Sequence, residues 1–178
     1  MMLEAFRELV DRHRDRVYGF AYHHLGSREE AEDVTQEVLL RLWKHMDRVE
    51  PERAGAWLAR VTRNACYDLL RGRRSRRRVF VEGGDAETRE EWMASAPDTA
   101  PAPDAGVATW DVARHLKKAL GELDEPYRSI VILREIQGLK YDEISAALEM
   151  PLNTVKAYLH RARRRLRSSL EEVHDYAH

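Results

Sequence analysis

The chain lacks most of what would staple, anchor or arm it. It has one cysteine in 178 residues, so an internal disulfide is excluded and Cys66 reads as a small residue packed in a helix, in a reducing compartment. It has no run of about 18 apolar residues, which excludes a helical membrane span. Its N-terminal stretch, amphipathic and charged, has neither the apolar core nor the small-residue cleavage site of a signal peptide. Aromatic residues make up only 8% of it, which favours small helical bundles over one large core. It contains no glycine-rich phosphate loop and no nucleophile motif, so the chain is not expected to be an enzyme. The histidines are scattered. His174 and His178 share i,i+4 spacing, but only Asp175 lies nearby, and neither a metal site nor a cofactor is expected.

Charge is what the chain has in abundance, at 34% of residues, and it is segregated. The net charge of −1 hides a basic first part (1–78, +4), an acidic middle (79–108, −6) and a slightly basic last part (109–178, +1). Arg71, Arg73, Arg74, Arg76, Arg77 and Arg78 form one cationic cluster, and Lys156 to Arg167 form another. A surface built for solubility would intersperse the signs. Two basic patches on either side of an acidic segment suit two contacts with one polyanion.

Helical periodicity runs through both outer parts. Apolar residues from Leu3 to Ala21 recur at helical spacing, and Gly26 stands where a helix ends. Ser27 to Glu30 is a capping-box sequence, with Ser27 able to cap and Glu30 to reach back. It opens a helix to about Met46 with Val34, Val38 and Leu42 inside. Pro51 opens a third helix through Trp57 (a core residue), Val61, Ala65 and Leu69, predicted to stop at Gly72. Residues 79–108, rich in Pro, Ala, Asp and Glu, read as a flexible linker spanning roughly 30 Å as a coil and about 100 Å when extended. Val112, Leu116 and Leu120 then mark a helix closed by Gly121. Asp124 is the expected cap of the next, with Pro126 in its first turn and Ile130, Val131, Leu133 and Ile136 packed inward before Gly138. Tyr141 to Arg167 finally reads as a short helix, a tight turn at Met150-Pro151, and a helix with Val155, Leu159, Ala162 and Leu166 buried. That second helix carries a basic outer face, the pattern of a helix-turn-helix. Glu171 to His178 reads as a polar tail. The predicted fold is all-α: two small helical domains, 1–78 and 109–178, joined by the acidic linker 79–108.

At this level of detail the sequence resembles the bacterial RNA polymerase sigma factors of the extracytoplasmic-function (ECF) group, the compact kind with two folded domains. The resemblance rests on Asp33-Val34-Thr35-Gln36-Glu37 through Trp43 and on Trp57 to Asn64 in the first part. In the second it rests on Leu123 to Arg128, Glu135 to Ile144, Asn153 to Lys156, and Leu159 to Arg163. It covers nearly the whole chain, with the motifs in order.

The resemblance implies a job for each part. Asp33, Gln36, Glu37, Leu40 and Trp43 match the helix that docks on the clamp helices of the polymerase's largest subunit; the flap is the second polymerase contact. Arg60, Arg63, Asn64, Tyr67 and Arg71, with Arg73 and Arg74 as phosphate clamps, match the segment that recognises and melts the −10 element. Asn64 matches a position beside the captured non-template base. Asn153, Thr154, Lys156, Tyr158, His160, Arg161, Arg163 and Arg164 match the helix that enters the −35 major groove. Among these, Lys156, His160 and Arg161 are the expected base readers and the others, with Arg167, suit phosphates. Asn153 replaces a usual glycine, and Ala157-Tyr158 a frequent serine-arginine pair, which leaves the −35 sequence open. The acidic linker matches a segment that threads toward the polymerase active-site cleft; a passive tether is the other reading. The implied partners are core polymerase, promoter DNA and an anti-sigma factor, with no membrane insertion. The implied location is the cytoplasm, including the membrane surface when an anti-sigma partner holds the chain there. The alternative function is a helix-turn-helix regulator that never joins the polymerase.

Overall fold

The computed structural model describes residues 1–81 and 107–176, and every regular element among them is helical. Helix α1 (Met2–Leu25) and α2 (Arg28–Lys44) form an antiparallel pair, and α3 (Ala54–Val81) packs across both after a 3-10 turn at Pro51–Arg53. In the second half, α4 (Val107–Glu122) precedes α5 (Tyr127–Val131), which runs on as a π-helical turn, Ile132–Ile136. The helix-turn-helix follows as α6 (Tyr141–Leu148) and α7 (Leu152–Tyr176). The predicted linker lies almost wholly outside the described residues.

Local chemistry sets most of the boundaries. Gly26 closes α1 in the left-handed conformation (φ 70°), its N–H returning to the Tyr22 carbonyl. The Ser27 hydroxyl accepts from the Glu30 N–H at 3.4 Å, so the expected cap of α2 is present. The Glu30 carboxylate does not complete the box; it pairs with Arg73 of α3 instead. That contact helps explain why α3 does not stop at Gly72. A glycine ends a helix by turning left-handed, as Gly26 and Gly138 do, whereas Gly72 keeps an ordinary φ and costs the helix only about 1 kcal/mol. Glu149, in the left-handed region at φ 52°, ends α6 and makes the tight turn, and Glu143 accepts from the Lys140 N–H at 2.7 Å to start it.

Other expectations shift by a residue or a face. The π turn adds a residue to one helical turn, which brings Ile132 inside and leaves Ile136 exposed. Val112 is exposed rather than buried. Asp124 offers only its backbone carbonyl, to the Arg128 N–H, and Pro126 is the N-cap of α5, preceding its first turn. The backbone of α7 continues to Tyr176, through the stretch read as a tail.

The two halves are packed against each other. Phe20, Val34, Val38, Leu42 and Leu58 on one side and Ile130, Ile132, Leu133, Ile144 and Leu159 on the other belong to one continuous buried cluster. Helix α3 lies against α6, and α1 lies against α4 and the π turn. Polar ties cross the joint: Gln137 Nε2 donates to the Arg16 carbonyl at 2.7 Å, and Arg60 pairs with Glu149. Trp57 packs against the core, as predicted, with its ring in a T-shaped contact with His45. Cys66 is fully buried, and burial pushes its thiol up, far from the reactive thiolate.

Gly26 sits at this joint twice over. A Cβ there would need a left-handed L-residue and would meet Lys117 Cε at 2.7 Å. Gly26→Ala should therefore destabilise the chain by about 1–2 kcal/mol in urea unfolding, whereas Gly121→Ala, within the last turn of α4 where a Cβ meets nothing, should be neutral or stabilising by up to about 1 kcal/mol. Equal midpoints for the two variants would contradict this account of the turn.

Candidate nucleic-acid and polymerase interfaces

Three surfaces collect the residues singled out in the sequence. On α2 the buried stripe Ala31, Val34, Val38 and Leu42 leaves Asp33, Gln36, Glu37, Leu40 and Trp43 exposed together on the opposite side. Leu40 is 55% and Trp43 39% exposed, unusual for residues of their size. The Trp43 ring stands edge-on to Phe6 of α1, with centroids 5.1 Å apart, so it is held rather than loose. Glu37 pairs with Arg41 one turn on. Phe6, which its spacing placed among core residues, is partly buried against the core and also meets the Trp43 ring.

On α3, helical spacing brings Arg60, Arg63, Asn64, Tyr67 and Arg71 to one face, and Arg74 continues it. Tyr67 is 45% exposed, with the Arg71 guanidinium 5.9 Å from its ring centroid and Asp68 Oδ1 3.3 Å from Arg71 Nη2. Arg73 is turned away. It falls on the opposite side of the helix, half-buried, with its Nε 3.0 Å from Glu30, and burial followed by the charge of Arg76 lowers its guanidinium from the ordinary value. Arg60 is shared with the other half of the molecule through Glu149. Part of the α3 face is therefore covered by α6.

On α7, Val155, Leu159 and Ala162 are buried, and Asn153, Lys156, His160, Arg161, Arg163 and Arg164 are exposed. Thr154 and Tyr158 lie half-buried at the shoulder. Arg163 donates to Glu135 through Nε at 2.8 Å.

Behind these surfaces lies a buried polar joint that sequence reasoning missed. Arg128 Nε donates to the carbonyls of Leu120 (2.8 Å) and Leu123 (3.1 Å), and Nη2 donates to that of Gly121 (2.7 Å). These include carbonyls that the end of α4 leaves without helical partners. Arg128 Nη1 reaches the His24 carbonyl of α1 at 3.3 Å. The His24 ring, wholly buried, is 2.5 Å from Glu125 Oε1, while Ser129 donates to Glu125 Oε2 at 2.6 Å. Burial alone would raise the Glu125 carboxyl, but the hydrogen bonds from His24 and Ser129 and the charges of His24 and Arg128 outweigh it and hold it below its ordinary 4.5. The motif Leu123 to Arg128 was the available signal, but nothing in it said which helix Arg128 would cap.

Among the described residues no group of His, Cys, Asp or Glu could hold a metal ion, and no helix is long and apolar enough to cross a membrane. A helix-turn-helix beside a three-helix unit with an exposed aromatic-acidic face is the architecture of a DNA-reading protein with a second macromolecular partner.

The comparisons with known proteins make this specific. Residues 9–76 match the family model "Sigma-70 region 2", and residues 114–166 match "Sigma-70, region 4". The chain is 33% identical to the ECF RNA polymerase sigma factor SigL of Mycobacterium tuberculosis, an alignment covering 94% of this chain and 89% of SigL. It is 35% identical to the ECF sigma factor SigE of Mycolicibacterium smegmatis, covering 94% of this chain but only 62% of that longer protein. Identity to SigW of Bacillus subtilis is 28%, over 96% of this chain and 91% of SigW. A solved complex of CnrH with the cytosolic domain of CnrY superposes with a TM-score of 0.67 at 25% identity, covering 96% of this chain and 90% of CnrH. The fold is also that of RpoE bound to the anti-sigma factor NepR from Bartonella quintana, with a TM-score of 0.73 at 24% identity, covering 93% and 96%. The chain belongs to the ECF sigma factors of the sigma-70 family.

The polar joint makes a pH-dependent prediction. A carboxyl held below its unfolded value contributes stability above that value and loses it as pH falls through the folded one. Glu125→Ala should cost about 2 kcal/mol near pH 7. The gap from wild type should narrow as pH falls below about 4.5, as read in urea unfolding at pH 7 and pH 3.5. A gap that stayed constant or widened in acid would show that the carboxylate is not the stabilising species.

Proposed function

We propose that this chain binds core RNA polymerase and directs it to promoters, contributing recognition and strand opening while the polymerase supplies the chemistry. The exposed α2 face of Asp33, Gln36, Glu37, Leu40 and Trp43 is the polymerase-binding surface, against the clamp helices of the largest subunit, and the C-terminal half meets the flap. The α3 face of Arg60, Arg63, Asn64, Tyr67, Arg71 and Arg74 takes the −10 element, with its arginines on phosphates and Tyr67 offered to an unstacked base. Arg73 joins that set only by leaving Glu30. Helix α7, with Asn153, Thr154, Lys156, Tyr158, His160, Arg161, Arg163 and Arg164, takes the −35 major groove.

The observation that carries this reading is the exposed Leu40–Trp43 pair on a face whose buried side is already complete. An exposed apolar pair flanked by Asp33 and Glu37 suits a partner surface that is both apolar and basic. Since Glu149 occupies Arg60 and α6 covers part of α3, engaging two separated promoter elements requires the halves to part. Such a factor works in the cytoplasm with the polymerase. Two sigma factors that share the fold were both captured with protein partners, one of them named an anti-sigma factor, and an inhibitor of that kind, covering the α2 face, fits this chain too.

Reconstitution with core polymerase should yield transcripts that start only at cognate promoters. Leu40→Ala combined with Trp43→Ala should weaken core binding about 30-fold or more, a loss well beyond the modest drop in thermal stability, on the order of 1 kcal/mol, expected from removing the Trp43–Phe6 contact. Unaltered core affinity would remove the α2 face from the interface. Tight, specific binding to duplex DNA without polymerase, and no transcripts with it, would replace the reading by that of an independent regulator.

A further inference from the structure

Both shoulders of the recognition helix are built the same way, with tyrosines set among its cations. On one side the Arg165 guanidinium lies over the Tyr127 ring of α5 at 4.5 Å. Tyr127 packs against Tyr158 with centroids 5.2 Å apart, and Arg161 lies 5.9 Å over Tyr158. On the other side Tyr141 of α6 lies between Arg134, at 4.8 Å from its centroid, and Lys156, at 6.0 Å. Arg161, Arg164, Arg165, Ser168 and Ser169 also line a cleft of about 630 Å³ against the end of α4. Its opposing charge, Glu122, accepts from the Ser169 hydroxyl.

A guanidinium laid on an aromatic face keeps its N–H edge free, pointing outward in its own plane. That edge suits a phosphate oxygen beside the groove. It does not suit a base, which needs the side chain extended from the middle of the helix's exposed face. Helical arithmetic places Asn153, Ala157 and Arg164 at that middle, opposite Val155, Leu159 and Ala162, with His160 and Arg161 about 50° to either side and Lys156 about 90° round. Lys156 and Arg161, expected from the sequence to read bases, stand to either side. Stacking also holds long side chains in place before DNA arrives, which removes part of the ordering cost of binding.

We propose that Arg165, Arg161 and Lys156 are phosphate clamps on the two flanks of the groove, held there by the rings of Tyr127, Tyr158 and Tyr141 respectively, with Tyr127 and Tyr141 as the positioning residues brought in from outside the helix. Arg165 is a DNA contact that neither the motifs nor the basic face had singled out. Tyr127 and Tyr141 touch no DNA and act through the cations stacked on them. The inference rests on the reading of α7 as the −35 helix.

The test measures promoter binding by holoenzyme saturated with the factor, over a range of salt concentrations. Each phosphate contact contributes about 0.9 to the slope of log K against log salt. Tyr127→Leu should reduce that slope by about one and lower affinity roughly threefold to tenfold at moderate salt, whereas Tyr127→Phe, which keeps the ring, should behave as wild type. Arg165→Gln should give the same loss, and adding it to Tyr127→Leu should change little more, because the two act as one unit. Tyr141→Leu should repeat the Tyr127→Leu loss through Lys156; Tyr141→Phe keeps the ring but loses the hydroxyl's hydrogen bond with Arg163, so it should retain more of the slope than Tyr141→Leu. Preference for the native −35 sequence over altered ones should be the same in all variants. A Leu variant with the wild-type slope overturns the clamp, since loss of packing alone would not move it. So does a Phe variant as weak as Leu, or a changed base preference at −35. Wild-type holoenzyme without promoter specificity would overturn the −35 reading itself, a failure visible before any variant is compared.

Discussion

The arrangement depends on one buried cation. Arg128 closes the end of α4 by taking the carbonyls of Leu120, Gly121 and Leu123, and extends to the His24 carbonyl at the end of α1. A guanidinium has five donors in a rigid plane, so one side chain can hold two helix ends from two halves of the chain. Burying it is costly, and the cost is offset by those carbonyls and by Glu125, whose own carboxylate is held by His24 and Ser129. Without Arg128, α4 would end in unpaired carbonyls and α5 would lose its fixed relation to α1. The floor behind the recognition helix would then be undefined.

From that joint the functional surfaces follow by geometry. Helix α1 is shared: its inner side packs α2 and α3, and its end meets α4 and α5. The α2 face is left free because its inner stripe is satisfied by α1 and α3. The α3 face is divided, with Arg63, Asn64, Tyr67, Arg71 and Arg74 open and Arg60 held by Glu149. An exposed ion pair of this kind contributes little to stability. What holds the halves together is the apolar cluster around Ile132, Leu133 and Ile144 and the buried polar joint beside it. Under the proposed function the two promoter-reading faces are stored against each other, and the energy that separates them has to come from new contacts with polymerase and DNA.

Specificity in the C-terminal half divides along the helix in the same physical terms. The turn at Glu149, Met150 and Pro151 fixes the angle between α6 and α7, with the Ser145 hydroxyl donating to the Met150 carbonyl. The buried stripe of α7 then decides which residues face outward. Aromatic rings at the shoulders lie against the long cations Arg165, Arg161 and Lys156. Asn153 and Tyr158, the departures from the common family pattern, fall one at the exposed middle and one in the shoulder stack. They therefore belong to different parts of the reading surface.

Sequence determined the all-helical class, the order of the helices and the faces of α2, α3 and α7, because 3.6-residue periodicity is a local property that survives without tertiary knowledge. It also determined Ser27, Gly26 and the helix-turn-helix turn, whose signals lie within a few residues of where they act. Tertiary structure decided what periodicity cannot encode. Gly72 failed to end α3 because a glycine breaks a helix only if the chain turns there, and the contact between Arg73 and Glu30, 43 residues apart, favours continuing. Ile136 left the core because a π turn changed the phase that an ideal helix would have kept. Arg73 parted from its cluster, and Arg128 and Phe6 gained roles, because each partner lies on another element. The resemblance to sigma factors named the surfaces. Only the packing showed that two of them, α3 and α6, meet each other before they meet anything else.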